Sequence, residues 1–153
     1  MSASITIRID GTDKEVVADV VPELDAKVRA MLEANFSSPL RLACDHTIST
    51  GDYFLARARP PVNPVQLGSQ ATPLGGKTTL LSRLEPGDVL YPGGRDMSFA
   101  YGADITEPLM SRGPVVARVR KAMLKQFFEI GRTVWDAQLR THRLVTITVS
   151  WKG

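Results

Sequence analysis

His46 is the side chain whose chemistry is easiest to justify. An imidazole titrates near neutrality, so it can give or take a proton as general acid or base. Cys44 stands two positions earlier, and on a strand both side chains would share one face, a spacing that permits a thiol–imidazole pair. Arg57, Arg59 and Arg95 offer planar guanidinium groups suited to gripping a carboxylate or an amide-derived anion. Tyr91, Ser98 and Tyr101 put hydrogen-bonding groups on or beside a sharp reversal, and each tyrosine can combine an apolar wall with a polar tip. Plainer readings stand beside these: a structural histidine at a strand end, a small buried cysteine, solvated arginines and core tyrosines. Two histidines far apart and one cysteine give no zinc spacing, so neither a metal nor a cofactor is expected. Gly75-Gly76-Lys77-Thr78-Thr79 lacks the upstream glycine and the strand–loop–helix setting of a phosphate loop.

The reversal that presents these groups spans residues 84–102, LEPGDVLYPGGRDMSFAYG. A turn at residues 85–88 leads into a strand, 89–91. A second turn, Pro92-Gly93-Gly94-Arg95-Asp96, feeds a strand over 97–101 that stops at Gly102. Upstream, Ile5, Ile7 and Ile9 alternate with polar residues as in a half-buried strand. Asp10-Gly11-Thr12-Asp13 turns the chain back into a second strand over 15–20. Pro22 suits a first helical turn, and Leu24, Val28, Met31 and Leu32 recur at helical spacing over 23–36. Residues 40–48 and 52–59 read as the next two strands. Residues 59–76, rich in proline and glycine, read as a long surface loop, and 78–84 as one more short strand. After an irregular stretch over 103–114, residues 116–139 carry the longest helical pattern, interrupted by Gly131, and 143–151 close the chain as a strand.

At 153 residues this is one domain, 1–153, with no internal repeat. Short strands with two helices far apart in sequence predict a mainly β fold: a closed or nearly closed barrel capped by helices, with a flat sheet as the alternative. A net charge of +3 and 7% aromatic residues do not supply the basic, stacking face that nucleic-acid binding requires. No run approaches the roughly 18 apolar residues of a membrane span. The alternating N-terminus reads as a strand rather than a signal peptide, and a lone Cys44 fits a reducing compartment, so a cytoplasmic protein is expected.

The order of elements, with residues 86–94 (PGDVLYPGG), Ala100-Tyr101-Gly102 and residues 46–52, resembles a cyclophilin-like bacterial family of unknown function. The resemblance implies a small closed cyclophilin-like β-barrel with two capping α-helices. Residues 46–52 are similar to the family's His-x-x-Trp-Ser-Gly-Glu segment. His46 and Gly51 match, while Ser49, Thr50 and Asp52 replace Trp, Ser and Glu. Arg112-Gly113-Pro114 stands where the family often has Gly-Asn-His. The Phe-His-Arg and Gln-Gly-Gly-Asp contexts of true peptidyl-prolyl isomerases are absent, leaving that activity to fold analogy alone.

The expectation is a small-molecule ligand bearing a carboxylate or amide, bound in the barrel mouth by His46, Arg57, Arg59, Tyr91, Arg95, Ser98 and Tyr101. Hydrolysis or isomerisation of an amide or cyclic amide by His46 would be the reaction. The alternatives are a non-catalytic binding or accessory subunit and, third, a proline isomerase. A homo-oligomer is compatible with the long apolar face of residues 116–139.

Overall fold

The computed structural model describes residues 2–58 and 78–153. Eight strands form a closed barrel in the order β1-β2-β7-β5-β6-β4-β3-β8, every neighbouring pair antiparallel. β1 (Ser4–Ile9) pairs with β2 (Glu15–Val20) on one side and with β8 (Thr146–Lys152) on the other, which joins the two ends of the chain. The period-two pattern explains the wall: Ile5, Ile7 and Ile9 meet Trp151, Val149 and Ile147 across the ladder, and all six are buried. β3 (Leu40–His46), β4 (Gly51–Arg57), β5 (Asp88–Gly93) and β6 (Asp96–Ile105) complete the circuit with β7 (Val115–Val119).

A helix closes each end. α1 (Ala26–Phe36) starts at Asp25, whose carboxylate accepts from the N–H groups of Lys27 (2.9 Å) and Val28 (3.2 Å), and it buries Val28, Leu32 and Phe36. Pro22 lies ahead of this cap rather than in the first turn. α2 (Leu124–Asp136) buries Phe127, Ile130, Gly131 and Val134 at the other end. A π-helical turn, Ala137–Thr141, follows it and ends at His142 in the left-handed region (φ 54°). Among the described residues no helix is long and apolar enough to cross a membrane.

Three local expectations are corrected. Residues 116–119 belong to β7, not to a helix: the run Val115-Val116-Ala117-Arg118-Val119 is mostly β-branched, and it bridges β2 and β5 so that the wall can close. α2 itself begins only after a 3-10 turn, Lys121–Met123, and runs unbroken through Gly131. Residues 78–84 form no strand; Leu80 makes a single bridge to Met110, followed by a 3-10 turn, Leu81–Arg83. β6 does not stop at Gly102 but continues to Ile105. The outer face of β4, β5 and β6 carries a second apolar cluster, with Tyr53, Leu90 and Ala100 under Leu81, Leu84 and Ile105.

Candidate functional site

The inward positions of β3, β4 and β6 are set by alternation. Leu42, Cys44, Phe54, Ala56, Met97, Phe99 and Tyr101 all enter the main core. His46 and Asp52 continue the same parity at the end that α2 covers. The last layer of the barrel there consists of His46, Asp52 and Tyr101.

His46 is 3% exposed, and both ring nitrogens are engaged. Nδ1 lies 2.6 Å from the Thr47 carbonyl, which can only accept, so Nδ1 carries the proton. Nε2 is therefore the acceptor and receives the Tyr101 hydroxyl at 2.7 Å. Burial holds the imidazole below its ordinary pKa, opposed chiefly by the Thr47 carbonyl. Burial also pushes the Tyr101 phenol up to about 12, with the Asp52 charge adding to the rise and Arg132 opposing it.

Two glycines make this arrangement sterically possible. A Cβ at Gly131 of α2 would stand 2.1 Å from Cγ and 2.3 Å from both Cδ atoms of Tyr101, so the phenol ring lies directly on the helix backbone. A Cβ at Gly102 would stand 2.3 Å from Asp52 Oδ2, which instead accepts the Asp104 N–H at 3.2 Å. Around the pair, α2 presents Phe128, Arg132 and Trp135 at helical spacing. Phe128 packs 5.6 Å from the Tyr101 ring and Trp135 4.8 Å from the imidazole, both edge-on. The Arg132 guanidinium sits 5.4 Å above the Trp135 ring.

The remaining sequence candidates are not gathered here. Tyr91 closes the opposite end: its hydroxyl donates to Gly94 O (2.6 Å), accepts from Asn35 Nδ2 (3.2 Å), and its ring packs edge-on against Phe36. Leu90 pairs with Ser98, so Tyr91 stands near the level of Met97, four residues and roughly 13 Å along β6 from Tyr101. Phe54 and Phe99, 4.8 Å apart, fill the barrel between the two tyrosines. The single mouth shared by the glycine-rich bend and His46 is thus corrected to two ends separated by packed aromatics. Arg95 is exposed at the tip of the β5–β6 hairpin, and Arg57, also exposed, acts on Asp96 at that same end. Ser98 faces outward, between Leu90 and Leu55, where its hydroxyl serves Tyr53. Arg59 lies outside the described residues.

Cys44 shares the inner face with His46, as its spacing implies, but both imidazole nitrogens are bonded elsewhere. Burial, with Asp10 adding, pushes its thiol up to about 12, which opposes thiolate formation. A concavity of about 230 Å³ lies on the outside of the wall, lined by Thr6, Arg8, Thr148, Ser150 and Lys152 among others. Its hydroxyls are already paired: Thr6 with Ser150 and Thr148 with Asp10. Among the described residues no cluster of histidine, cysteine and acidic side chains could hold a metal ion.

Sequence reasoning missed Arg132, Trp135 and Phe128, and gave Asp52 no role beyond its place in a motif. Helical spacing alone placed the α2 residues on one face; nothing in the sequence placed that face over Tyr101.

No known family pattern matches the chain, and no curated protein does. Among solved structures it is similar to McbB in complex with tryptophan, at 20% identity and a TM-score of 0.77, over 97% of this chain and 45% of that one. It is also similar to the hypothetical protein AF2241 from Archaeoglobus fulgidus, known from a solution structure, at 16% identity and a TM-score of 0.54. That match covers 97% of this chain and 94% of AF2241. At such identities the likeness is one of fold, and the chain spans less than half the length of McbB.

Proposed function

We propose that the α2 end of the barrel binds a small carboxylate-bearing metabolite, with Arg132 as its anchor and the Tyr101–His46 pair as its hydrogen-bonding and proton-exchanging partner. One observation carries this reading: a buried imidazole in a fixed tautomer, bonded to a tyrosine hydroxyl beside an exposed guanidinium. The second ring nitrogen is spent on the hydroxyl of Tyr101, itself buried beneath α2. A ligand proton passed to the Tyr101 oxygen lets the phenol release its own proton to Nε2, making His46 a base acting through Tyr101. Reversal of the same path makes it an acid. Hydrolysis or isomerisation of an amide or cyclic amide is the reaction class that such a relay serves. Arg57, Tyr91 and Arg95 have no part in it.

Two further points support the reading. McbB, whose fold this chain shares, has been solved with tryptophan, itself a carboxylate. The cyclophilin-like resemblance read from the motifs also implies a small barrel of this kind. A second reading, a binding protein without turnover, is favoured by the full engagement of both His46 nitrogens.

The test is a panel of carboxylates and amides, followed by calorimetry for binding and by product detection for turnover. Binding weakened by Arg132→Gln, with turnover lost in His46→Gln and Tyr101→Phe, supports the enzyme. Binding of the same strength with no turnover leaves the second reading. Failure of every carboxylate to bind refutes both.

A further inference from the structure

Arg132 and Asp52 approach the Tyr101 hydroxyl from different elements, α2 and β4, and carry opposite charges. They do not neutralise each other: among the described residues neither takes part in an ion pair within 4.0 Å. Arg132 lies over the Trp135 ring, and its guanidinium also reaches the Tyr101 hydroxyl. Asp52 accepts the Asp104 N–H at Oδ2 and its carboxylate also lies against the Tyr101 hydroxyl. A separated cation and anion, each held in place and flanking one hydroxyl, complement a ligand that carries both charges.

Phe128 adds an apolar component. Its neighbour Phe127 is fully buried in the core, whereas Phe128 is 42% exposed and edges onto the Tyr101 ring. The rim therefore offers an aromatic surface adjoining the two charges.

We infer that the ligand is a zwitterionic α-amino acid with an apolar or aromatic side chain, its carboxylate on Arg132, its ammonium on Asp52 and its side chain along Phe128. This rests on the carboxylate-binding reading of the same end and narrows it. A simple carboxylate leaves Asp52 uncompensated, and a simple amine meets Arg132 with like charge. Each is disfavoured by the group it fails to pair.

Four probes decide the matter with the wild-type protein: phenylalanine, 3-phenylpropionate, phenethylamine and alanine, titrated by calorimetry while the His46 ring nitrogens are followed by NMR. Phenylalanine is expected to bind roughly tenfold or more tightly than each of the others, as loss of one charged hydrogen bond or of the apolar body implies. It should also shift the His46 resonances. Asp52→Asn is expected to bring the phenylalanine and phenylpropionate affinities together, and Arg132→Gln to weaken both. Phenylpropionate binding as tightly as phenylalanine overturns the zwitterion and leaves the carboxylate site standing. Alanine binding equally well removes the role of Phe128. If phenethylamine binds best, or if phenylalanine binds without moving the His46 signals, the inference and the carboxylate reading fall together. If none of the four binds while another carboxylate does, only the inference falls.

Discussion

Replacing Gly131 by alanine is expected to damage the protein even though alanine is the better helix former. In an exposed helix interior the exchange stabilises by about 1 kcal/mol. Here the new methyl group would stand 2.1 Å from Tyr101 Cγ, and ordinary contact begins near 3.4 Å, so the ring or the helix must retreat by about 1.3 Å. The Tyr101–His46 bond, 2.7 Å long, cannot absorb that displacement and remain a hydrogen bond. Overpacking costs about 1–3 kcal/mol and an orphaned buried acceptor about 1–3 more, so Gly131→Ala should lose about 1–5 kcal/mol net of its helix-propensity gain. Urea denaturation measures the loss, and the ring nitrogens of His46 report whether Nε2 has lost its donor. In a Tyr101→Ala background the ring is gone, and the same substitution should become neutral or stabilising by up to about 1 kcal/mol. A Gly131→Ala protein at least as stable as wild type, with unaltered His46 resonances, would refute the close-packing argument.

Other consequences follow from the two barrel ends. Because burial depresses the His46 pKa in the folded state, unfolding takes up a proton below the ordinary histidine value of about 6.5. Stability should therefore hold above that pH and decline as pH falls through it toward the depressed value, a slope that His46→Gln removes. The groups facing the imidazole in this titration are Tyr101 on β6, Asp52 on β4, Asp45 on β3 and Arg132 on α2. At the other end, Tyr91→Phe removes the hydroxyl that joins Asn35 to Gly94 O and should cost about 1–3 kcal/mol. Amide exchange should quicken at the β5–β6 hairpin, and ligand affinity at the α2 end should stay unchanged. Asp25→Ala removes the cap of α1 and should cost about 1 kcal/mol by denaturant titration.

The barrel was legible because its strands advertise themselves by alternation. Ile5, Ile7 and Ile9 can have only one buried face, and a hairpin turn at residues 10–13 fixes their partner. The misplaced start of the second helix has an equally plain cause. Val116 and Val119 are three apart, which is helical spacing, and only the open gap between β2 and β5 decides for a strand. Ser98 and Tyr101 were grouped because both lie on β6, yet positions of opposite parity look to opposite sides of the wall. Tyr91 and Tyr101 share a parity and differ in height. Sequence distance within a hairpin does not reveal that until the register is known. The partnership of His46 with α2 is a contact between elements nearly ninety residues apart, and local patterns carry no information about it.

The two ends of the barrel face the same physical problem and meet it differently. Each has a buried tyrosine whose hydroxyl needs a partner, and burial pushes each phenol up to about 12. At the α1 end the hydroxyl is bonded to the hairpin backbone and to an asparagine, neutral groups that fasten the hairpin to the helix. At the α2 end it is bonded to an imidazole and flanked by Asp52 and Arg132, neither of which forms an ion pair among the described residues. The charge near the hydroxyl at the α1 end, Asp96, has Arg57 acting on it from the same end. Charges left unpaired at a rim contribute little to stability. Their placement around one hydroxyl is explained by something that arrives from solution and pairs with them, and the α2 end is where that pairing is to be sought.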